Sequence, residues 1–212
     1  RMTTIRLTWV VLTAIYLSFF SWYTSFGGPL TEEEVEHYMS GFESRTPAPP
    51  PERLTQIRRF LEEDTGDDFV MVNVIHMYDK PLQIEGVDPG ESSADVLAKY
   101  MAYMTPELFR RACHPVLYGS AASAALDIMN ADGMETWTTG AGMRYRSRRD
   151  MMEISGNPEF AGSHEFKVAA MQKTIAFPID PWIQAGDPRL LLALILSLVG
   201  ALVSWRVASV KG

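Results

Sequence analysis

The sequence predicts a water-soluble α+β domain held between two membrane-spanning helices. Three observations lead to this fold class: apolar residues concentrate at the two ends, most of the charge lies in the middle, and the middle alternates strand-like with helix-like segments. The chain has 212 residues and a formal net charge of −7, which fits one medium domain with anchors. An acidic domain without a basic stripe argues against nucleic acid as a partner and against a domain that lies flat on anionic lipid.

The first apolar segment covers residues 7–26 and contains no charged residue. Arg1 and Arg6 precede it, and Trp22 and Tyr23 lie near its end, as aromatic residues do at membrane interfaces. Its length is enough for a spanning helix. A cleaved signal peptide is the alternative, but bulky aromatic residues stand where small residues would be needed for cleavage.

The second apolar segment covers residues 182–206, with an interfacial start at Trp182 and a second interfacial aromatic at Trp205. Small residues recur four apart along it, a spacing that lets two helices approach closely in lipid. The partner would be the first helix or another subunit, although such spacing is also common in ordinary membrane helices. The small residues are Ala193, Ser197 and Ala201 on one face and Gly200 and Ser204 on a neighbouring face.

Charge predicts the orientation of the chain. The two tails, residues 1–6 and 207–212, are short and basic, so both are expected to be cytoplasmic. The domain between the helices is then extracytoplasmic, and Arg189 is the one contrary charge. Because few residues separate the last predicted strand from the second helix, the domain is expected close to the membrane surface.

Residues 27–63 are predicted to form a helical region with a Pro-rich linker. Thr31 and Glu34 have the spacing of a capping box at the start of one helix. The linker 46–51 is stiff and extended, and its last proline suits the first turn of a second helix over Glu52–Glu63.

Residues 64–181 are predicted to form the α+β domain. Phe69–Tyr78 is the clearest strand, and its apolar residues on both faces predict a strand that is covered on both sides. The order of strand, helix, strands, helix and strand is ferredoxin-like. The further predicted elements are a helix from Ser92 or Ser93 to Met104, a separate helix that restarts at Thr105-Pro106, strand-like stretches at Pro115–Tyr118, Ala124–Met129 and Glu135–Tyr145, helices at Ser147–Ile154 and Pro158–Gln172, and a strand at Lys173–Ile179.

Three stretches carry a family resemblance: Asp67–Tyr78, Met143–Ile154 and Asn157–Pro178. Over residues 60–180 the chain resembles the dimeric α+β-barrel superfamily, and within it a bacterial family of unknown function. The resemblance implies a four-stranded sheet with helices on one face, and two such sheets packed face to face. It therefore implies a homodimer, or a pseudo-dimer with a similar partner. Together with the two anchors it implies the bacterial inner membrane, with a periplasmic domain.

A basic run within the acidic domain is the most unusual local feature. Its guanidinium groups can clamp a carboxylate, a phosphate or an acidic patch of a partner. The alternative, which the sequence favours, is internal pairing with Asp150, Glu153 and the acidic turn 64–68. The run consists of Arg144, Arg146, Arg148 and Arg149.

The histidines are scattered and lack the spacing of a metal site, so neither a metal nor a cofactor is predicted. His76, which shares a strand face with Tyr78, is the best candidate for a ligand contact or a general base, although a satisfied core or interface histidine is the commoner case. Asn73 on the opposite face would need a partner if buried. His164 and Lys167 lie three apart on one helix and are expected to approach the arginine run.

The sequence contains no recognisable catalytic constellation or nucleotide-binding fingerprint. Cys113 is the single cysteine and is expected to be a small buried residue rather than a nucleophile. The favoured function is therefore that of an assembly or accessory (scaffolding) subunit of a membrane complex or homo-oligomer, with the lipid bilayer, itself or other membrane subunits as partners. The alternative is an enzyme or binding protein for a small apolar or quinone-like ligand in the sheet–helix cleft, with His76, Tyr78 and Arg144 as candidates.

Overall fold

The structure is a computed structural model that describes residues 3–45 and 47–210. The chain divides into two compact units, Arg1–Ser25 with Pro181–Gly212, and Phe26–Asp180. The first unit contains helices α1 (Thr4–Tyr23) and α7 (Pro188–Ser209). The second contains α2 (Glu32–Glu43), α3 (Pro51–Glu62), β1 (Phe69–Met77), α4 (Ser93–Arg110), β2 (His114–Ser120), β3 (Thr139–Tyr145), α5 (Arg148–Gly156), α6 (Pro158–Ala170) and β4 (Met171–Ile179).

The four strands form one antiparallel sheet in the order β2-β3-β1-β4. β1 pairs with β3 from Phe69 opposite Tyr145 to Ile75 opposite Thr139. On its other side β1 pairs with β4, which begins opposite Met77, where β1 ends. With α4 between β1 and β2, and α5 and α6 between β3 and β4, this is the ferredoxin-like arrangement that the order of segments predicts. The α+β fold class is confirmed.

One face of the sheet carries the hydrophobic core. The ring of Phe69 stacks on that of Tyr145 at a centroid distance of 5.4 Å. Met143 and Tyr145 of β3 pack against a buried cluster contributed by the helices and by Cys113, which lies just before β2. This face of β1, which also holds Met71 and Asn73, is therefore the helix-covered side. The buried members of the cluster are Tyr100, Met104, Leu108, Cys113 and Ile154.

The helix pair α2–α3 packs on the α+β core through its own apolar cluster. Val35, Met39 and Leu61 are buried together with Met152 of α5. The predicted capping box starts α2: the N–H of Glu34 donates to the Thr31 hydroxyl at 3.3 Å, and the Thr31 N–H donates to the Glu34 carboxylate at 2.8 Å.

Helix α4 continues through Pro106, so the predicted break at Thr105-Pro106 is wrong. A proline inside a helix removes one backbone hydrogen bond and crowds the preceding turn. Tyr100, Met104 and Leu108 nevertheless lie four apart on one face and are all buried. Burial of the last turn on this face offsets the lost bond, an effect that the local sequence does not show.

The connection between β2 and β3, residues 121–138, contains no strand, so the predicted strand at Ala124–Met129 is wrong. All residues of that stretch are exposed, because no neighbouring strand lies beside it. The N–H of Ala121 donates to the carbonyl of Thr138 at 2.9 Å, and that of Ala125 to the carbonyl of Glu135 at 2.8 Å. These bonds join the two legs of a protruding hairpin-like segment, here named the β2–β3 arm.

The helices α1 and α7 are each long and apolar enough, by length and composition, to cross a membrane. They pack antiparallel to one another: Trp9 near the start of α1 meets Gly200 late in α7, and Tyr23 at the end of α1 meets Arg189 at the start of α7. The indole N–H of Trp9 donates to the Ser204 hydroxyl at 3.3 Å. The chain's own first helix thus covers Gly200, one of the predicted packing positions. Ser197 and Ala201 remain exposed, and Ala193 is partly buried.

Candidate functional site

The arginine run is engaged inside its own chain. Each of the four guanidinium groups forms an ion pair with a carboxylate of another segment or of the following helix turn, which is the internal-pairing alternative from the sequence. The pairs are Arg144 Nε with Asp68 Oδ2 at 2.6 Å, Arg146 Nη2 with Asp150 Oδ1 at 2.7 Å, Arg148 Nε with Asp64 Oδ1 at 3.5 Å and Arg149 Nε with Glu34 Oε1 at 2.6 Å.

Arg144 has a structural position. Its side chain is 1% exposed, and besides the pair with Asp68 it donates from Nη1 to the carbonyl of Ala112 at 2.8 Å. Ala112 has a φ of 56°, a left-handed conformation that non-glycine residues rarely adopt. The bond from Arg144 therefore helps to hold the strained turn between α4 and β2. A side chain that is buried in this way presents no charge to an external ligand.

Arg148 and Arg149 fasten the N-terminal helix pair to α5. Arg148 donates to the carbonyl of Phe60 and lies over the Phe60 ring at 4.5 Å. Arg149 donates to both carboxylate oxygens of Glu34, at 2.6 and 3.0 Å. The bond from Arg149, with further help from the Thr31 N–H and against some burial, lowers the pKa of Glu34 to about 2. The run thus holds the fold together, and a ligand or partner role for it stays a prediction.

Cys113 lies in the core, as expected from the sequence. Its Sγ accepts a hydrogen bond from the N–H of Arg146 at 3.4 Å. Burial, the larger effect, raises the pKa of the thiol to about 11, although this bond opposes the shift. The thiol is therefore protonated at neutral pH and is a poor nucleophile.

The predicted His76–Tyr78 pair does not share a strand. β1 ends at Met77, and the register with β4 shifts between His76 and Met77, so Tyr78 is already outside the sheet. The backbone of Tyr78 instead links two helix ends. Its N–H donates to the carbonyl of Ala170 at the end of α6, and its carbonyl accepts from the Ser93 hydroxyl at the start of α4. The prediction that both residues line one strand face is wrong for this reason.

His76 lies opposite Lys173 of β4, on the sheet face away from the helices. Its Nδ1 is buried without a hydrogen-bond partner among the described residues. Asn73 lies on the helix side, where its amide donates to the carbonyl of Met71 at 2.9 Å. Asn73 therefore has the partner that its position requires, and it supports the backbone of its own strand.

His164 and Lys167 contact α4, and their charged neighbours are not those that the sequence suggested. The Lys167 Nζ lies 5.9 Å from the centroid of the Tyr100 ring, and the His164 ring lies 5.2 Å from that of Phe160. In the part of the chain that the structure describes, Arg45 and Arg53 rather than the arginine run are the basic groups that act on them from other elements. The expected approach to the arginine run is therefore not observed.

The sheet face away from the helices, here named the open sheet face, is the one that the family resemblance implies for sheet pairing, but its apolar residues were not among the predicted site residues. In β4 the apolar side chains recur at every second residue, a period-two signal that could have identified them. Leu117 is 68% exposed and Phe177 47%. The face consists of Val70, Val72, Val74 and His76 of β1, Lys173, Ile175, Phe177 and Ile179 of β4, Gly140, Gly142 and Arg144 of β3, and His114 and Leu117 of β2.

The open sheet face has a trough along β3. Gly140 and Gly142 have no side chains, and the space beside Gly140 is open. Beside Gly142, a Cβ atom would lie 3.2 Å from Val70 Cγ1 and 3.3 Å from Val116 Cγ2, so a larger residue would crowd the neighbouring strands. The resulting surface is largely apolar, ridged on β4 and hollow on β3. His76 and Lys173 lie at one end of it, and His114 and the buried Arg144, which pairs with Asp68, lie at the other. Among the described residues no three His, Cys, Asp or Glu side chains lie together as metal ligands would.

No family model matches the chain, and no curated protein matches it. Among solved structures, the chain is similar to a protein of unknown function from Rhodopseudomonas palustris, at 19% identity and a TM-score of 0.50 over 64% of this chain and 95% of that one. The methylated form of that protein gives 19% identity, a TM-score of 0.52, and coverage of 66% and 96%. These likenesses show the fold alone, and they agree with the α+β fold of the described domain.

A dimeric protein of unknown function with a ferredoxin-like fold from Bacteroides fragilis is also similar, at 10% identity over 54% of this chain and 96% of that one. Its TM-score is 0.33, and a likeness of that extent supports no conclusion about this chain.

Proposed function

We propose that the chain is a membrane-anchored assembly subunit whose α+β domain pairs with a second copy through the open sheet face. The observation that carries this proposal is the open sheet face itself. Burial of apolar side chains such as Phe177 and Leu117 removes them from water, which favours association by roughly 25 cal/mol for each Å² covered. Soluble surfaces rarely leave a contiguous apolar patch of this kind without a partner.

The size of the open sheet face suits a second sheet. Four strands spaced about 4.8 Å apart, each about 25 Å long, give a face on the order of 500 Å² before side-chain relief is counted. Standard interfaces cover about 800 Å² on each partner, so the face supplies most of the area. Two twisted sheets pack about 10 Å apart, a spacing at which ridges of one face fill hollows of the other. The Phe177 ridge and the Gly140 trough are complementary in this sense.

The charges on the open sheet face favour a copy of the same chain over a different partner. The central part of the face is apolar. Its basic groups lie at the two ends, where Lys173 donates to the carbonyl of Gly133 and Arg144 pairs with Asp68. An apolar face without a polar pattern offers little to select an unlike protein. Closed two-fold pairing is also the commonest symmetry among oligomers, because one patch serves both copies.

The anchors are α1 and α7, which we assign to the inner membrane with both tails cytoplasmic and the domain periplasmic. Their antiparallel packing supports this assignment, because it sets both tails at the same end of the helix pair. The contrary charge, Arg189, pairs with Asp187 at 2.6 Å and lies 5.3 Å from the Tyr23 ring centroid. Because Asp187 neutralises Arg189, this arginine no longer argues against an extracytoplasmic location of the domain.

The proposal is tested by the mass of the full-length protein in detergent, measured by light scattering after size-exclusion chromatography. We expect the unmodified chain to be a dimer and Phe177→Glu to be a monomer, because pairing would bury an unpaired carboxylate. The matched control is Val168→Glu on α6, which is 54% exposed on the helix side and should leave the dimer intact. A monomeric unmodified chain, or a dimer that survives Phe177→Glu with its circular dichroism unchanged, would overturn the proposal.

The alternative of a small apolar ligand between the sheet and the helices has no specific observation in its favour. On that side, Met143 and Tyr145 of β3 pack directly against the buried helix cluster. Burial raises the pKa of Tyr145 well above its ordinary value, and it raises the pKa of Tyr100 to about 12. Both phenols are therefore protonated core groups at neutral pH.

A further inference from the structure

Two hydroxyl groups lie at the middle of the apolar helix pair without a hydrogen-bond partner. Thr13 is the tenth of the 20 residues of α1, and Ser197 is the tenth of the 22 residues of α7. Both side chains are exposed. Within residues 3–45 and 47–210, neither hydroxyl forms a hydrogen bond. Thr13 and Ser197 are here named the central hydroxyls.

Other hydroxyls of the helix pair bond to their own helices. Thr8 donates to the carbonyl of Thr4 at 3.0 Å, and Ser204 donates to the carbonyl of Gly200 at 2.7 Å. Such bonds satisfy a hydroxyl that faces lipid, because no water reaches the hydrocarbon core and an unsatisfied polar group is costly there. If α1 and α7 span a bilayer, the central hydroxyls lie near its midplane, where a partner from a neighbouring helix is favourable.

The central hydroxyls lie at nearly the same depth of the helix pair. The Trp9 ring of α1 meets Gly200 of α7, which fixes the register of the two helices. Thr13 is four residues after Trp9, and Ser197 is three residues before Gly200. Because the helices are antiparallel, both steps run in the same direction, by roughly 6 Å and 4.5 Å. The two hydroxyls are therefore about level with one another.

The central hydroxyls also lie on the same flank of the helix pair. A helix turns by about 100° per residue, so Thr13 lies about 40° around α1 from Trp9. Ser197 lies about 60° around α7 from Gly200 in the same rotational sense. On two antiparallel helices, one rotational sense leads to the same side of the pair. Both hydroxyls are therefore presented on one exposed surface, here named the hydroxyl flank.

A hollow on α1 adjoins the hydroxyl flank. A small alanine between larger side chains leaves room for a side chain of a facing helix, as in knobs-into-holes packing. On α7, Leu194 and Leu198 lie next to Ser197 and are 58% and 61% exposed, so they can fill a hollow of this kind on a second copy. The hollow is lined by Trp9, Val10, Thr13, Ala14 and Leu17.

A two-fold axis along the membrane normal makes the hydroxyl flank complementary to itself. Such an axis keeps equal depths equal, and it sets α1 of one copy against α7 of the other. Thr13 then faces the partner's Ser197, and the contact is formed twice. A hydroxyl can both donate and accept, so each contact satisfies two groups that the single chain leaves without a partner. An unlike helix would have to supply matching polar groups at this same depth.

We propose that α1 and α7 of two copies form a four-helix bundle in the membrane, with Thr13 of each copy hydrogen-bonded to the partner's Ser197. The inference rests on the proposed function, in which these helices anchor the chain and the chain pairs with itself. Eight residues, 180–187, separate β4 from α7, so pairing of the domains raises the local concentration of the helix pairs. The bundle is a second contact of the same pair.

Disulfide cross-linking in native membranes tests this contact. Two differently tagged full-length copies are expressed together, one with Thr13→Cys and the other with Ser197→Cys, so that a disulfide between these positions joins two chains. We expect a mixed dimer after oxidation, because side chains in direct contact come within reach of a disulfide. Cys113 is kept, because its thiol is buried and protonated.

The matched control for cross-linking is Ile15→Cys with Ile195→Cys. These residues lie at a similar depth and are 48% and 57% exposed, but they face the flank opposite to the central hydroxyls. They should give no mixed dimer. Absence of the mixed dimer for Thr13→Cys with Ser197→Cys, or an equal yield in the control, would overturn the inference.

Removal of the central hydroxyls tests whether they hold the bundle together. Thr13→Val with Ser197→Ala should raise the dissociation constant of the dimer in detergent about tenfold, because two interhelical hydrogen bonds are lost. The control is Ser18→Ala, which removes an exposed hydroxyl about 180° around α1 from Trp9 and should leave the constant unchanged. An unchanged constant in the double variant would mean that both hydroxyls bond to their own helices, and the inference would fail.

Phe177→Glu separates this inference from the proposed function. If Phe177→Glu gives a monomer while Thr13→Val with Ser197→Ala changes nothing, the open sheet face stands as the interface and only the helix bundle fails. If the Thr13–Ser197 cross-link forms as well with Phe177→Glu as without it, and this variant remains a dimer in detergent, the bundle stands and pairing through the open sheet face fails.

Discussion

At the residue scale, the arginine run has its charges paired within the chain. A buried guanidinium is costly unless a carboxylate and further hydrogen-bond acceptors satisfy it. Arg144 meets this condition through Asp68 and the carbonyl of Ala112. The pairing explains how an arginine can stand in a strand next to the core of an acidic domain.

Removal of the carboxylate beside Arg144 should destabilise the fold strongly. Asp68→Ala leaves a buried charge without its partner, which costs about 3–5 kcal/mol. Chemical unfolding followed by circular dichroism measures the change. The matched control is Glu63→Ala, which breaks the exposed Arg59–Glu63 pair and should cost less than about 0.5 kcal/mol. Equal losses in the two variants would contradict the structural position assigned to Arg144.

Acid should weaken the contact between α2 and α5 through Glu34. The folded-state pKa of Glu34 is about 2, below its ordinary value of 4.5, and Arg149 is the main cause. A lowered pKa contributes stability that is complete above the ordinary value and is lost as the pH falls from about 4.5 through 2. Glu34→Gln should therefore be less stable than the unmodified chain at pH 6, and the difference should vanish near pH 2.

A double-mutant cycle identifies the partner in this effect. The coupling between Glu34→Gln and Arg149→Met should be clear at pH 6 and absent near pH 2. Coupling that persists unchanged at pH 2 would show that ionisation of Glu34 has no part in the contact.

The sequence predicted a carboxylate partner of the arginine run only where that carboxylate is close in sequence or belongs to the acidic turn 64–68. Asp150, Asp64 and Asp68 were among the expected carboxylates, whereas Glu34 was not. Glu34 lies 115 residues from Arg149, and its sequence environment already explains it as half of a capping box. A residue with a sufficient local role gives no sign of a second, distant one.

At the element scale, local periodicity identified the helices and most strands, because amphipathic spacing and caps act over a few residues. The break predicted in α4 and the strand predicted at Ala124–Met129 are wrong because both depend on contacts with distant parts of the chain. α4 passes Pro106 because Leu108 is buried against the core, and Ala124–Met129 is no strand because no neighbour pairs with it. The apolar residues of the open sheet face were not singled out for a related reason: alternation shows that a face is apolar but not whether its own chain covers it.

The packing of α1 on α7 depends on the absence of a side chain at Gly200. A Cβ atom there would lie 2.6 Å from Trp9 Cη2, closer than atoms can approach. Gly200→Val should therefore destabilise the helix pair by about 1–3 kcal/mol in detergent unfolding measurements. In a Trp9→Ala background the same change should cost much less, because the ring is gone. A cost that is the same in both backgrounds would refute the contact.

At the scale of the whole molecule, the chain contains an apolar helix pair and a domain with one covered and one open sheet face. Each part could be outlined from the sequence: the helix pair from composition, the sheet from the order of segments. The buried cluster of Val35, Met39, Leu61 and Met152 could not, because its members come together only through the packing of α2 and α3 on α5. Long-range assembly of this kind leaves no periodic trace.

The orientation of the whole chain can be measured with single cysteines, since Cys113 is buried and its thiol protonated. An impermeant maleimide should label Ser123→Cys on the arm in intact bacterial spheroplasts. It should label Val210→Cys at the end of α7 only after lysis, because both tails are expected on the cytoplasmic side. Labelling in the reverse order would contradict the proposed orientation.

The contact between Trp9 and Ser204 also bears on how the protein is made. The two residues are separated by 195 positions, so α1 finds this partner only when α7 has been synthesised. At a translation rate of about 5–20 residues per second, this delay is roughly 10–40 s. During that interval the Trp9 face of α1 is available to other helices or to chaperones. Helix α1 is therefore made long before the neighbour that it finally contacts.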